Sequence, residues 1–577
     1  MIALDRLNRL AAPGFVAALG AIFEHSPWVA ERVAPLRPFK SSIALHKAMT
    51  DAVTQAPTDL QMALILAHPE LAGRAAQRGE LTSASSGEQK GAGLSACTPA
   101  QLQRLTVLNQ QYRERFGYPF ILAVKGHTPD SVIAALAERG AHDAVQERGV
   151  ALQEICRIAY FRLADLIEEP CGDAILSMLE DLSLYSESDD ALTCSYLTPA
   201  HRAAAARIRE FMLAAGLTVH IDAVGNVVGR LQGSDSSSRR VLTGSHYDTV
   251  VNAGKYDGRL GIVLPIVVAG WLRRAGVQLP YPLEIIAFAE EEGVRFKSTF
   301  LGSRAVAGRF DFKALDSTDA QGLTLRQAIA SAGLDVAQIA GAAHDPGQVA
   351  CFVEVHIEQG PVLLEAGMPV GVVTSIAGSR RCIVTVRGQS GHAGTVPMPL
   401  RHDAAAAAAE MLLAVERRCS AEPGLVGTVG RLDVPQGAIN VIPGRCEFSI
   451  DIRSGCDALR DAAYRDIGAE IQRIARRRGV AADQVEVLEA ASVPCSPALQ
   501  DAWAASVERV TAATARRLPS GAGHDAMMMA SLTDIGMLFV RCGNGGISHH
   551  PEESLSAADA EIAARVFEDF LRHNSFQ

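Results

Sequence analysis

The sequence predicts an all-α N-terminal domain over residues 1–169, followed by an α/β region that extends to residue 577. Before residue 169, apolar residues recur every three or four positions, as one buried face of a helix requires. After it, short runs rich in Val and Ile alternate with helical segments, as in α/β proteins. The pattern changes at Glu168–Asp173, where charged residues, Pro and Gly cluster as in a linker.

The segment Leu152–Ile167 shows the helical pattern of the first region. On a helix over this segment, Arg157 and Asp165 fall outside the apolar face. That face is formed by Ile155, Ile158, Ala159, Leu163, Leu166 and Ile167. Strand-like runs are scarce before residue 169, so we expect helices separated by Pro and Gly.

Strands of the second region are predicted from short apolar runs bounded by polar or glycine residues. Cys446–Ile452 alternates apolar with polar residues, which predicts a half-buried strand. The other runs are Val241–Gly244, Leu283–Ala289, Phe352–Val355, Gly371–Thr374 and Cys382–Val386. The sequence shows no internal repeat, and the serine run at 234–238 is typical of a loop between strands.

The composition excludes several classes of protein. A net charge of −10 lacks the basic excess of a nucleic-acid-binding protein, and the longest apolar run, Ile262–Gly270, is too short to span a bilayer. The 11 cysteines form no Cys-x-x-Cys pair, which favours reduced thiols over a disulfide framework. Because Met1–Leu10 also lacks a signal-peptide pattern, we expect a soluble cytoplasmic protein without nucleic-acid or membrane partners.

Residues that can bind a metal ion stand at the ends of several predicted strands. Imidazole and carboxylate groups suit zinc, manganese and similar ions, and an Asp between two ions suits a dinuclear site that activates water. Asp248 lies two residues beyond His246, on the same side of an extended chain, where it can orient the imidazole. The candidate ligands are His246, Asp257, the carboxylates of Glu290–Glu292, His356 and His549.

The order of these motifs resembles the M20 metallopeptidase superfamily over residues 173–575. Its branch with N-carbamoyl amino acid hydrolases, ureidopropionase and allantoate amidohydrolase is the most similar, because of the Arg-Phe and His-Ile-Glu-Gln-Gly forms. The motifs are Gly244–Thr249, Asp257–Gly258, Glu291–Phe296, His356–Gly360, Gly391–Pro397 and Gly546–His549. The resemblance implies two divalent ions, Mn²⁺ or Zn²⁺, with Asp257 bridging them and Glu291 as general base. The implied ligands are His246, Asp257, Glu292, His356 and His549.

The same resemblance implies an M20-type dimetal hydrolase fold, with an α+β dimerisation or lid domain inserted into the catalytic domain. Its expected parts are residues 170–377 (catalytic), 378–492 (lid) and 493–577 (catalytic). His392 would reach the active site of the partner in a homodimer and stabilise the oxyanion. Arginine suits a substrate carboxylate because its fork binds two oxygens. The implied substrate-binding residues are Gln359, Asn440, Arg453 and His524.

In the N-terminal region, a His before Pro, a Ser/Glu/Gln cluster and a later Arg could line one polar pocket. The alternative is that His25 and His68 only cap helices. The motifs Ala67–Gly73, Ser85–Leu94 and Phe116–Gly126 resemble the family of 2-oxo-4-hydroxy-4-carboxy-5-ureidoimidazoline (OHCU) decarboxylases over residues 1–168. This resemblance implies that His68 and Glu88 are catalytic, that no cofactor is needed, and that further residues fix the substrate. These are Ser85, Gln89 and Arg162.

Together the resemblances imply a bifunctional enzyme of urate breakdown that acts on small ureido substrates. It would decarboxylate OHCU to (S)-allantoin and hydrolyse allantoate to ureidoglycine, ammonia and carbon dioxide, with a separate allantoinase between these steps. One alternative is an N-carbamoyl-L-amino acid hydrolase, or a ureidoglycolate-type amidohydrolase, with a non-catalytic N-terminal domain. Others are a degenerate module without activity and an ordinary M20 dipeptidase or aminoacylase.

Overall fold

The computed structural model describes residues 1–73 and 82–576. Within these residues no helix combines the length and the apolar character needed to cross a membrane. The first region is helical, as predicted, and a two-residue parallel ladder joins its ends at β1 (Ile2–Ala3) and β2 (Ile167–Glu168). Its helices are α1 (Leu4–Arg9), α2 (Ala12–Leu19), α3 (Trp28–Val33), α4 (Ser42–Thr54), α5 (Thr58–Leu66), α6 (Ser83–Gly91), α7 (Pro99–Phe116), α8 (Pro129–Arg139) and α9 (Ala144–Leu166).

The long helix α9 forms where the apolar spacing predicts it. It begins after Asp143, whose carboxylate accepts hydrogen bonds from the N–H groups of Val145 and Gln146 and so caps the helix. Ile155, Ala159 and Leu163 on its apolar face are almost completely buried. The periodic apolar face therefore explains why one side of this helix is buried.

The second region begins with α10 and builds a mixed sheet. Its elements up to residue 376 are α10 (Cys171–Ser183), α11 (Pro199–Ala215), β3 (Thr218–Ile221), β4 (Val227–Leu231), β5 (Arg240–His246), α12 (Leu260–Arg274), β6 (Leu283–Phe288), α13 (Leu301–Val306), α14 (Leu325–Ser331), β7 (Val349–Ile357), α15 (Val362–Glu365) and β8 (Val370–Ile376).

A second sheet forms between β8 and the last part of the chain, with β14 and β15 on either side of β9. Along β14, Phe448, Ile450 and Ile452 are buried and alternate with more exposed polar residues, which confirms the predicted half-buried strand. The elements are β9 (Gly378–Arg387), β10 (Gly391–His392), α16 (Ala404–Ser420), β11 (Leu425–Thr428), β12 (Leu432–Asp433), β13 (Val441–Ile442), β14 (Arg445–Ser454), α17 (Asp457–Arg478) and β15 (Ala481–Ala490).

The chain then returns to the first sheet, through β16 (Val493–Pro494), α18 (Pro497–Thr511), β17 (Arg517–Ser520), α19 (Ala526–Met529), β18 (Ile535–Val540) and α20 (Ala557–His573). The strand order is β16-β8-β18-β7-β5-β6-β4-β3, with β17 beside β8. Strands β18, β7, β5 and β6 run parallel to one another. Short 3-10 helices cover Ala34–Leu36, Leu94–Ala96, Phe312–Asp316, Val336–Ala342, Pro346–Gln348, Met398–Leu400 and Asn544–Gly546.

The parallel strands are buried on both faces, which explains why they read as continuous apolar runs. Val241 and Ile285 belong to the core that includes α12, whereas Leu242 and Ile286 belong to a separate core with residues of α13 and α19. The helical first region shares the α12 core and packs on α11. The two regions therefore meet through a continuous apolar core.

Candidate functional site

The carboxyl ends of three neighbouring parallel strands bring polar residues together. His246 is the last residue of β5, His356 lies near the end of β7, and Glu290–Glu292 follow β6. Strand β5 lies between β6 and β7. Side chains that leave the carboxyl ends of adjacent parallel strands converge at one edge of the sheet, where ligands bind in open α/β sheets.

Asp257 lies at the centre of this group. Its Oδ1 atom is 3.2 Å from His356 Nε2 and 3.6 Å from His246 Nε2. Its Oδ2 atom is 3.0 Å from His549 Nε2 and accepts a hydrogen bond of 2.8 Å from the amide of Gln359. Burial alone would raise the pKa of Asp257, but the three imidazoles hold the pKa well below its usual range. One oxygen of Asp257 thus faces His246 and His356, and the other faces His549.

The arrangement of donors fits two metal ions. The set His246, Asp257 and His356 and the set Asp257, Glu292 and His549 each place their donor atoms within 4.8 Å of one another. The buried Oδ1 atom of Asp257 has no hydrogen-bond donor among the described residues. Because an unpaired buried carboxylate oxygen is costly, and because His and carboxylate donors suit zinc or manganese, these residues fit a dinuclear centre.

Glu291 and Glu292 differ in their surroundings. Burial raises the pKa of Glu291 well above its usual range, and burial together with nearby carboxylates raises the pKa of Glu292 to about 7. Glu292 Oε1 lies 3.6 Å from His549 Nε2, within the second ligand group. Glu291 is also buried and forms a further donor group with His246 and Glu292. Cations at this position would favour the ionised form of both carboxylates.

Asp248 contacts the site differently from the prediction. The backbone oxygen of Asp248 is 3.0 Å from His246 Nδ1, whereas its carboxylate is 3.5 Å away. The carboxylate instead accepts hydrogen bonds from the N–H groups of Glu291 and Glu292. Asp248 therefore holds the backbone of Glu291 and Glu292 through its carboxylate, and it contacts the His246 imidazole through its backbone oxygen.

Two candidate residues have left-handed backbone conformations, which are uncommon for residues other than glycine. The φ angles of Gln359 and His549 are both 55°. Gly258, with a φ of 65°, packs against His246, and a Cβ atom there would lie 2.5 Å from the imidazole. Backbone strain of this kind concentrates at functional sites, and here it brings both side chains to Asp257.

His524 lies behind the candidate ligands. It is buried, its Nε2 atom is 2.7 Å from the hydroxyl of Ser520, and its ring centroid is 4.5 Å from that of His356. Burial holds the pKa of His524 well below its usual range, so its imidazole is neutral. The structure therefore places His524 against a candidate ligand, where it packs on the imidazole.

Three candidate residues lie between residues 378 and 492, and only Arg453 belongs to the second sheet, because β10 and β13 form a separate two-stranded ladder. His392 is exposed on β10, and Ala393 N–H donates to the backbone oxygen of Asn440, which is also exposed. Arg453 on β14 pairs with Asp451 and donates a hydrogen bond of 2.8 Å to the backbone oxygen of Gly521. Among the described residues, none of the hydrogen bonds or ion pairs of these three side chains reaches a candidate metal ligand.

Sequence reasoning missed two buried carboxylates that lie close to candidate metal ligands. Glu553 accepts hydrogen bonds from the N–H groups of Tyr256 and Asp257 and from the hydroxyl of Ser548. Glu354 accepts hydrogen bonds from the hydroxyl of Ser245 and the N–H of Ala526. Glu553 follows the predicted His549 in the same loop, and Glu354 lies two residues before His356, so proximity to a candidate ligand was the available signal.

In the helical region, Arg162 is the centre of a second polar group. It forms a bidentate ion pair with Glu88, with distances of 2.8 and 3.0 Å, and its Nη1 atom is 2.8 Å from Glu24 Oε2. Ser85 Oγ lies 3.2 Å from both Arg162 Nη2 and Glu24 Oε2. Burial would raise the pKa of Glu24, but Thr82 and Arg162 hold it below the usual value. Glu24 is a residue that the sequence did not identify.

His68 and Gln89 line the same small cavity as Ser85, Glu88 and Arg162, and the cavity measures about 30 Å³. His68 Nδ1 is 2.9 Å from the backbone oxygen of Leu64, so it contacts the end of its helix as the alternative interpretation expects. Its Nε2 atom has no hydrogen-bond partner among the described residues, and burial lowers its pKa. A buried neutral imidazole beside a carboxylate can accept and return a proton.

Comparison with known proteins matches the two regions to two families. A family model described as "OHCU decarboxylase" matches residues 8–164, and one described as "Peptidase family M20/M25/M40" matches residues 242–573. The chain is 39% identical to an allantoate deiminase of Arabidopsis thaliana, over 70% of this chain and 83% of that protein. It is 41% identical to an N-carbamoyl-L-amino acid amidohydrolase of Geobacillus stearothermophilus, over 64% of this chain and 90% of that protein.

Solved structures resemble the second region. A hydantoinase/carbamoylase family amidase from Burkholderia multivorans is 31% identical with a TM-score of 0.65, covering 69% of this chain and 97% of that chain. A structure of AtUAH in complex with glyoxylate is 33% identical with a TM-score of 0.56, covering 70% of this chain and 97% of that chain. The mixed sheets described above agree with this fold.

Proposed function

The chain belongs to the peptidase family M20/M25/M40, and on that premise we propose that it is a bifunctional enzyme of ureide breakdown. Its second region would hydrolyse allantoate to ureidoglycine, ammonia and carbon dioxide, consuming one water. Its first region would decarboxylate OHCU to (S)-allantoin. The two functions support each other, because both belong to one route and the chain matches both families.

The observation that carries the hydrolase proposal is Asp257, shared between two groups of ligand atoms. His246, His356 and Asp257 would hold one divalent ion, and Asp257, Glu292 and His549 would hold the other. Mn²⁺ or Zn²⁺ bound there supplies Lewis-acid polarisation of the ureido carbonyl and activation of water. Glu354, Glu553 and the backbone of Asp248 keep the ligands in position, as outer groups do in metal sites.

Glu291 is the general base and acid in this proposal. Its carboxylate lies beside the ligand groups without belonging to the Asp257 sets, and the loop is fixed by the hydrogen bond from Glu291 N–H to Asp248. Glu291 would take a proton from the attacking water and give a proton to the departing ammonia. The bond that breaks is the terminal ureido C–N bond, and the carbamate left on the other nitrogen loses carbon dioxide.

Substrate recognition would require a second copy of the chain. His392 on β10 and Asn440, just before β13, are exposed and lie close together, and among the described residues neither side chain hydrogen-bonds or ion-pairs with the ligand groups of its own chain. We propose that a homodimer forms through the expected lid domain, residues 378–492, and brings His392 to the oxyanion in the partner. Gln359, Asn440, Arg453 and His524 would bind the ureido and carboxylate groups, with the guanidinium of Arg453 as the carboxylate partner.

The decarboxylase proposal rests on the polar group around Arg162. Loss of carbon dioxide leaves an electron pair that the neighbouring ring imine can accept, so no cofactor is required. His68 and Glu88 would then move the proton to the carbon, while Ser85, Gln89 and Arg162 hold the substrate in place. All five residues line one cavity.

Ammonia release from allantoate tests the hydrolase function. Protein stripped with a chelator is assayed with and without added Mn²⁺ or Zn²⁺, and N-carbamoyl-L-amino acids are assayed in parallel. Metal-dependent release from allantoate is the expected result. A preference for N-carbamoyl-L-amino acids would replace this proposal with the carbamoylase function, which the 41% identity to the Geobacillus stearothermophilus protein favours. A lack of turnover of either substrate with metal would contradict both.

A further inference from the structure

A large cavity lies where the helical region meets the hydrolase region. It measures about 800 Å³, within the range of pockets that bind small molecules. Glu88, Ile158 and Arg162 line it from the helical region, and Leu213 and Arg273 line it from α11 and α12. Both halves of the chain therefore contribute to its wall.

This cavity adjoins the small one beside His68. The two cavities share Glu88, Val124, Ile158 and Arg162 as lining residues, so the Glu88–Arg162 ion pair lies between them. The cavity beside His68 measures about 30 Å³ and is much smaller than the large one. The large cavity therefore lies next to the residues proposed to hold the substrate, and an anion can approach them through it.

Two cations and one carboxylate meet in the wall of the large cavity. Asp165 Oδ1 is 2.5 Å from Arg273 Nη2, and Asp165 Oδ2 is 3.9 Å from Lys125 Nζ. Because Lys125 and Arg273 share one carboxylate, a positive charge remains in excess at this place. Burial lowers the pKa of Lys125, and an anion in the cavity would oppose that shift.

The glycine at position 216 leaves room for the Arg273 side chain beside the cavity. Gly216 has a φ of 92°, and a Cβ atom on it would lie 2.3 Å from Arg273 Cδ. The Arg273 side chain crosses Gly216 and also approaches the backbone oxygen of Ala214, at 3.5 Å. A Cβ atom at position 216 would therefore require the Arg273 side chain to shift.

We propose that Arg273 of the hydrolase region forms, with Lys125, an anion-binding entrance to the decarboxylase site. The substrate class is a small carboxylate with a ureido group, which rests on the decarboxylase function proposed above. Arg273 attracts and positions the substrate and takes no part in proton transfer. Positive charge at the entrance of a pocket raises the rate of association with an anion, and the effect falls as ionic strength increases.

The test compares Arg273→Gln with Arg274→Gln in the full chain. Both variants remove one positive charge from the end of α12, but Arg274 lines a different cavity, with Glu169 and Cys171. For Arg273→Gln we expect decarboxylase kcat/KM to fall about tenfold through KM, with kcat nearly unchanged and with a smaller difference at high salt. Arg274→Gln should leave both constants near the wild-type values, and allantoate hydrolysis should be unchanged in both variants.

Asp165→Asn should change the KM in the opposite direction, because it removes the carboxylate that Lys125 and Arg273 share. Its KM for decarboxylation should fall below that of the wild type. An unchanged KM in Arg273→Gln, in a protein that decarboxylates normally, would overturn the entrance and leave the decarboxylase function in place. If the wild-type protein does not decarboxylate OHCU, the proposed function and this inference fail together. Melting temperatures of all variants identify any loss of folding.

Discussion

The two polar sites balance their charges in opposite ways. In the helical region, Arg162 pairs with Glu24 and Glu88, so both carboxylates have a cationic partner within the chain. At the sheet edge, Asp257 and Glu292 lie 3.0–3.6 Å from imidazole nitrogens, and Glu291 is buried beside them. Asp257 Oδ1 lacks a hydrogen-bond donor among the described residues. The carboxylates of the first site thus have a cationic partner within the chain, whereas added cations would compensate the buried carboxylates of the second.

The largest expected effect is a loss of hydrolysis, without a loss of decarboxylation, when the proposed general base of the hydrolase site is replaced. Glu291→Gln should lower allantoate turnover by about 10²–10⁴-fold, because the amide cannot accept the proton of the attacking water. Decarboxylation and bound metal, measured by elemental analysis, should remain at wild-type levels. Glu552→Gln is the matched control, since Glu552 is exposed close to His549. Near-normal turnover in Glu291→Gln would exclude Glu291 as the base.

Arg162→Met should abolish decarboxylation and also destabilise the helical region. Arg162 and Glu24 are 8% and 3% exposed, and removing one partner of a buried ion pair costs on the order of 3–5 kcal/mol. Thermal unfolding, followed with assays of both reactions, checks this expectation. His68→Ala should abolish decarboxylation without this loss of stability, since His68 belongs to no ion pair among the described residues. Arg9→Met, at an exposed pair, should change neither.

Mixed dimers test a further difference between the two sites, because only the hydrolase site is proposed to need a second copy of the chain. His392→Ala and Glu291→Gln should each inactivate hydrolysis. Mixing them under conditions that exchange subunits should restore up to about a quarter of the wild-type rate, since mixed dimers carry one intact site of two. Sedimentation analysis measures the dimer. Decarboxylation should be the same before and after mixing, and no recovery despite exchange would contradict a shared hydrolase site.

The smallest effect is on pH dependence. Burial lowers the pKa of His68 below 6.5, and its hydrogen bond to Leu64 only partly opposes this. More than half of His68 is therefore neutral at pH 6.5, and the decarboxylase kcat should fall to half its maximum only below that pH. The unfolded state binds a proton at its ordinary imidazole pKa, so His68 also makes folding less stable as pH falls below 6.5. A kcat that halves near pH 7 would contradict this.

Several site residues were predictable because the apolar pattern of the sequence around them indicates where they lie in the sheet. His246 and His356 end apolar runs, and an apolar run that is buried on both faces has to end at an edge of the sheet. The sequence did not reveal Glu24, because its partner Arg162 is 138 residues away. Glu553 was missed for the same reason, since the N–H group of Tyr256 that it binds is 297 residues away. A hydrogen bond between distant segments leaves no periodic signal.

By itself, the sequence determined the fold classes of the two regions and the residue types that reach the sheet edge. Helix and strand periodicities are local properties, and apolar burial follows them directly. Only the tertiary structure decided which oxygen of Asp257 faces each ligand group and that the Asp248 carboxylate holds the backbone of Glu291 and Glu292. It also brought Arg273 to the cavity beside Arg162. These arrangements depend on how distant segments pack, and packing is decided by the whole chain together.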